Sequence, residues 1–193
     1  MRICEAILES LTPYSQSRFS DIPRLTNKEG AEIETADDHE RRTWRERLHY
    51  GSDGIIFIPP MAFKNALSEI AKFRSEQIPG KGKATYTKHF EAGVTVMDCV
   101  PLGIHKDQAE GEWLFVPADG RRGSGKRVKK CFPVVREWKA TVRFYIIDDV
   151  ITEPVFERHL AGAGMFIGIG RFRPRNNGFY GRFKVVKVKW LEE

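Results

Sequence analysis

The sequence predicts an α+β fold, with an antiparallel sheet and two helices on one of its faces. Three observations carry this. Strand-like alternation is clearest over residues 139–147, where Ala140, Val142, Phe144 and Ile146 alternate with Thr141, Arg143 and Tyr145. Helical spacing is clearest in Phe63, Ala66, Leu67, Ile70 and Ala71, which recur at three- and four-residue intervals while Lys64, Asn65, Ser68, Glu69 and Lys72 face away. The 193 residues, 41% hydrophobic and 30% charged, suit one globular domain and exclude a wholly disordered chain.

The elements follow in order. In residues 2–9, Cys4, Ala6 and Leu8 would share a strand face, and Ile3, Ala6 and Ile7 a helical one; Thr12-Pro13 stops a helix soon after and favours the strand. Residues 11–53 read as a long polar excursion with a short helix in DDHERRTWRERL, and a connection of that length inside a domain is usually functional or mobile. Residues 54–58 form a short buried strand ended by Pro59-Pro60, a pair that suits the start of the helix, which Pro79-Gly80 ends. A basic, flexible loop is expected over residues 80–90, then strands over 94–100, 112–116, 132–136 and 139–147. Asp148-Asp149 makes a turn, residues 153–162 a second helix with Pro154 in its first turn, and residues 183–190 a last strand. In that strand Val186, Val188 and Trp190 are expected to face inward, with Lys187 and Lys189 outward. Stripped of insertions, the order strand, helix, strands, helix, strand fits the split β-α-β arrangement, ferredoxin-like or RRM-like. The expectation is one domain over residues 1–193, decorated by insertions at 11–53 and by a basic loop at 101–131.

Several chemistries are disfavoured. No apolar run approaches the roughly 18 residues of a membrane-spanning helix. The N-terminal stretch carries Glu5 and Glu9 and no small-residue cleavage site, which argues against a secretory signal. Cys4, Cys99 and Cys131 are odd in number and far apart, which argues against a disulfide framework and fits a reducing, cytoplasmic setting. There is no C-x-x-C, no HExxH and no G-x-S-x-G, so neither a metal site nor a cofactor is expected. Residues 120–126, GRRGSGK, spell most of a phosphate-binding P-loop, but Arg127 stands where the magnesium-binding Ser or Thr belongs and the stretch leads into KKCFPVV. A basic loop touching a phosphate backbone is the better reading.

The net charge of +6 is unevenly spread. From Arg121 to Lys139, Arg121, Arg122, Lys126, Arg127, Lys129, Lys130, Arg136 and Lys139 stand against Glu137 alone; from Arg171 to Lys189, Arg171, Arg173, Arg175, Arg182, Lys184, Lys187 and Lys189 stand against no acid. Such asymmetry points to a polyanionic partner. Within IGIGRFRPRNNGFYGRFKV, residues 167–185, Gly168, Gly170, Gly178 and Gly181 interleave with arginines and with Phe172, Phe179, Tyr180 and Phe183. Glycines permit close approach of amides to an anion, arginines grip phosphate and aromatic rings stack on unpaired bases. The competing reading is a glycine-rich hairpin with Phe172 and Phe183 packed inward, which leaves the alternate arginines without a purpose.

This segment resembles the glycine-rich loop of the RAMP superfamily of CRISPR-associated RNA-binding proteins, and GIIFIPPMAFKNALSEIAKF resembles the strand, Ile-Pro turn and first helix of that superfamily's repeated backbone subunits. Pro60 and Met61 replace the usual Gly-Ser, and Asn65 stands where a glycine often follows the lysine. The two motifs cover about a quarter of the chain and fall in the expected order around a ferredoxin-like core. The resemblance implies a non-enzymatic subunit of an antiviral ribonucleoprotein that grips single-stranded guide RNA. It further implies other protein subunits as partners and a head-to-tail homo-oligomer. On that reading residues 11–53 form a thumb, and RNA contacts fall to Lys64, Arg121, Arg122, Lys126, Arg127, Lys129, Lys130, Gly168, Gly170, Arg171, Arg173, Arg175, Tyr180 and Arg182. Some members cut RNA with an aspartate of the thumb; Asp37 and Asp38 sit in no matching motif, so no catalytic residue is carried over. Two alternatives stay open. One is a metal-independent RNA-processing endoribonuclease using His49 or His89, and the other is a viral mimic that binds a CRISPR complex without RNA.

Overall fold

The computed structural model describes residues 1–120, 123 and 125–191. In chain order they form β1 (Arg2–Ser10), β2 (Tyr14–Ser15), α1 (Ala36–Thr43), β3 (Ile55–Ile58), α2 (Pro60–Arg74), α3 (Thr87–Gly93) and β4 (Val94–Thr95). There follow β5 (Val100–His105), β6 (Glu110–Pro117), β7 (Arg127–Val135), β8 (Lys139–Ile146), α4 (Glu153–Gly162) and β9 (Phe183–Leu191). Alternation decides the central sheet: Cys4, Ala6 and Leu8 of β1 are buried beside Ala140, Val142, Phe144 and Ile146 of β8. The two strands pair antiparallel from Arg2↔Ile146 to Glu9↔Lys139. β9 adds antiparallel to the other edge of β1 and β4 to the far edge of β8, giving the order β4-β8-β1-β9.

α2 and α4 pack on this sheet in one hydrophobic cluster. Phe63 of α2 meets Phe144 and Phe183 edge-on at 6.3 and 6.0 Å, and Phe156 of α4 meets Phe144 at 5.3 Å, geometries that rings favour. The result is an α+β fold with antiparallel sheets, broadly compatible with a decorated ferredoxin-like core. A second sheet, β2-β7-β6, and a two-stranded pairing of β3 with β5 complete it.

Several local expectations change. Residues 80–90 are not wholly a loop: α3 begins at Thr87, because Tyr86 and Phe90 are buried and both rings meet the buried His159. α2 ends at Arg74, before Pro79-Gly80, with Ser75 in the left-handed region donating its N–H to Ala71. The stretch 94–100 splits at residues 96–99, so that β4 joins the central sheet and β5 pairs with β3. In β9, Val186 is 46% exposed, not inward, because a bulge in the pairing with β1 skips it between Lys187 and Val185. Within 101–131 lie the rest of β5, all of β6 and half of β7, and the P-loop-like stretch leads into β7, where a P-loop would open a helix. The short helix expected within 37–48 is α1, capped by Thr35, whose Oγ1 accepts from the Asp38 N–H at 3.1 Å, and it continues as a 3-10 turn over Trp44–Arg47.

His159 of α4 is fully buried, with its Nδ1 2.7 Å from the Val155 carbonyl, its ring stacked on Phe90 at 4.4 Å, and its Nε2 without a partner among the described residues. Burial holds its pKa below the usual histidine value, so the folded chain carries it neutral. The unfolded chain protonates first as pH falls, so the stability His159 contributes is complete above about pH 6.5 and is lost progressively below it. Thermal denaturation between pH 7 and pH 5 should therefore show a falling Tm in the parent and a flatter profile in His159→Phe. Parallel profiles would contradict this.

Candidate nucleic-acid interface

The chain leaves α4 through a π-turn, Ala163–Ile167, and enters the glycine-rich segment. Gly170 sits at φ +77°, where a Cβ would lie 2.5 Å from the Ser15 carbonyl oxygen and from the Tyr14 ring. Gly181, at φ +78°, would place a Cβ 1.8 Å from the carbonyl oxygen of Ile169. Only glycine takes this backbone in that space. The approach is hydrogen-bonded: Arg171 N–H donates to Ser15 O (2.8 Å), Gly181 N–H to Pro13 O (2.8 Å) and Ile169 N–H to Gly181 O (3.0 Å). The loop is thus closed on itself and docked on the segment just after β1.

Docking there creates a cleft of about 550 Å³. One wall is Gly170, Arg171, Phe172, Arg173 and Asn176 of the loop; the other is Pro59, Met61, Ala62 and Asn65 at the start of α2; Tyr14, Gln16, Ser17 and His49 line the rest. Gln16, buried in a stretch without periodicity, clasps this wall: its Nε2 donates to Tyr14 Oη (2.9 Å) and Phe57 O (2.8 Å), and its Oε1 accepts from His49 N–H (2.6 Å). α2 has Pro59 at its N-cap with no side-chain cap and no acid in its first turn, so neither offsets its positive end.

Arg171 lies with its guanidinium 3.5 Å over the Phe132 ring of β7, and its Nη1 is buried with no acceptor among the described residues. Burial lowers its pKa, and the nearby Glu112 carboxylate acts in the opposite sense. Glu112 accepts a 2.5 Å hydrogen bond from the Tyr180 hydroxyl, whose pKa is pushed up to about 12, chiefly by burial and then by that carboxylate. Arg173 donates to Glu69 of α2 at 2.6 Å, and Arg175 lies 3.6 Å from the same carboxylate. The alternate arginines therefore have a structural purpose: Arg173 and Arg175 tie the loop to α2. Phe183 is buried, as the hairpin reading expects, whereas Phe172 is exposed at φ +57°.

The other expected contact residues scatter. Lys64 lies outside the cleft lining; its ammonium donates to Ser68 Oγ (3.0 Å) and to the carbonyls of Phe90 (3.1 Å) and Glu91 (2.6 Å), satisfying the last turn of α3. Gly168, at φ +70°, packs on Pro174, and Arg182 donates to Met165 O at 3.1 Å. Lys126 and Arg127 are exposed at the start of β7, Lys129 lies 5.0 Å over the Trp113 ring, and Lys130 donates to Glu40 at 3.1 Å. Arg121 and Arg122 lie outside the described residues. His49 is in the cleft; His89 is elsewhere, on α3, bonded to Asp148 at 2.6 Å. Gln16, Glu69 and Glu112 carry no motif and were visible only once the fold brought them to the loop.

No family model matches the chain, and no curated protein matches it. Among solved structures it resembles a chain of a CRISPR RNA-guided surveillance complex, at 9% sequence identity and a TM-score of 0.40, over 96% of this chain and 67% of that one. A likeness this distant says nothing of what the chain binds.

The loop's geometry makes one strong demand. Gly181→Ala should lose roughly 2–5 kcal/mol, the sum of left-handed backbone strain and overpacking against Ile169. Urea denaturation measures it; a change within about 0.5 kcal/mol would show that the loop is not held as described.

Proposed function

We propose that this protein is a non-enzymatic RNA-binding protein of the RAMP type, built on a ferredoxin-like core and similar to a CRISPR backbone subunit, and that it seats single-stranded RNA in the cleft between the glycine-rich loop and α2. One observation carries the reading: two segments about a hundred residues apart, singled out separately in the sequence, line the same cleft. The cleft joins an uncapped helix start to a half-buried arginine that forms no ion pair among the described residues, and both favour an anion. A phosphate there offsets the desolvation of Arg171, and Asn65 and Ser17 supply polar groups for the sugar or base. The outer face of the four-stranded sheet is less suited, because Arg143 is held by Glu5 at 2.6 Å and Lys184 by Glu9 at 3.0 Å.

One observation favours a second reading, a metal-independent endoribonuclease. His49 lines the cleft, and burial together with Arg18 keeps its pKa below the usual value, so it is neutral and able to accept a proton. Incubation of hairpin RNA in EDTA separates the two: intact RNA supports the binding protein, and cleavage abolished by His49→Ala supports the enzyme.

Affinity for single-stranded RNA tests the main reading. Kd should rise steeply with salt, with a log–log slope of about 0.7 per phosphate neutralised, and Arg171→Ala should weaken binding by roughly 10- to 100-fold and flatten that slope by about one contact. Arg171→Lys, which keeps the charge but loses the fork, should fall between. Full affinity in a folded Arg171→Ala protein would remove the cleft from the account.

A further inference from the structure

β6 and β7 form a hairpin whose register sets Trp113 opposite Cys131, Phe115 opposite Lys129 and Pro117 opposite Arg127. Cross-strand partners and residues two apart share a face, so Trp113, Phe115, Lys129 and Arg127 stand together. Trp113 is 36% exposed, with the Arg41 guanidinium 5.4 Å and the Lys129 ammonium 5.0 Å from its ring centre. Phe115 is 67% exposed, and among the described residues no ring packs on it. A large apolar ring in water on a paired strand gains nothing for the fold. Beside it opens a hollow of about 620 Å³ lined by Phe115, Val128, Lys129, Lys130, Arg24 and Asp37. The acids nearby are engaged: Asp37 lies 4.0 Å from Lys129, Glu40 holds Lys130 and Arg47, and Glu32 holds Arg24. Arg41, Lys126 and Arg127 appear in no ion pair among the described residues.

We infer that this hairpin face is a second contact surface for single-stranded nucleic acid, with Phe115 stacking on an unpaired base, Trp113 extending the platform and Arg41, Lys126 and Arg127 attracting the flanking phosphates. Aromatic faces ringed by cations match a polymer that alternates flat rings with negative charge. A wholly apolar partner would leave the cations unpaired, and a duplex offers no free base face. The inference rests on RNA being the ligand but not on the cleft, since no residue of this face lines the cleft.

The test is anisotropy of a labelled oligouridine, long enough to span both surfaces, against the full chain. Phe115→Ala should weaken binding about 5- to 150-fold with an unchanged salt slope, Phe115→Trp should retain parental affinity, and an RNA duplex should be insensitive to either change. Arg127→Ala should lower the slope. Phe115 and Arg127 both being exposed, their variants should melt as the parent does. Parental affinity in Phe115→Ala, with Arg171→Ala still weakened, overturns this surface and leaves the cleft. Weakening by Phe115→Ala alone keeps this surface and removes the cleft. No binding by the parent overturns both. A change of oligomeric state in Phe115→Ala with RNA affinity intact would mark a protein-docking face and overturn the inference.

Discussion

The cleft depends on one close approach of backbone to backbone. The glycine-rich segment passes so near the residues after β1 that a side chain is excluded at Gly170, Gly181 is pressed in the same way on Ile169 within the loop, and main-chain hydrogen bonds from Arg171 to Ser15 and from Gly181 to Pro13 hold the contact. Because residues 13–15 continue directly from β1, the loop is fixed to the central sheet through a few covalent bonds rather than through long side chains. This sets Arg171 in the cleft lining with its guanidinium over Phe132 of β7. The glycines act by removing Cβ atoms from a packed junction, not by freeing the loop to follow a ligand.

A second fixed point is electrostatic. Glu40 of α1 is 2% exposed, yet its carboxylate is fully used: it binds Arg47, accepts from Lys130 (3.1 Å) and accepts the main-chain N–H of Cys131 (2.7 Å), while Arg47 donates to the Cys131 carbonyl (2.7 Å). β2 pairs β7 only at Val134 and Val135, so beyond β2 the edge of β7 is served by this acid–base pair in place of a strand. Arg47, Lys130 and the amide hold the Glu40 pKa below the usual carboxylate range against its burial. Breaking such a pair strands a buried charge, so α1 and the hairpin behave as one unit.

Much of the core was legible because its signals are local. The alternation in β8, the helical stripe of α2 and the alternation in β1 each name their buried residues before any fold is known. What escaped depended on tertiary partners. α3 is short, and the buried rings of Phe90 within it and Tyr86 just before it are held by His159, some seventy residues on; the bulge that turns Val186 outward is a property of the pairing with β1. The site was half legible. The motifs marked both walls of the cleft, but the charge blocks overstated the free cations, since their acids come from elsewhere in the chain: Glu69 for Arg173, Glu40 for Lys130, Glu110 for Arg136 and Glu9 for Lys184. A linear count of charge does not see pairs between distant residues.

What remains after this pairing is a small number of cations and rings in defined places, which makes the account local and open to mapping. Amide hydrogen exchange of the whole protein with and without single-stranded RNA locates the bound strand directly. Slowed exchange is expected at residues 59–65 and 168–176, the two walls of the cleft. Protection confined to the outer face of the four-stranded sheet, with both walls unchanged, would contradict it.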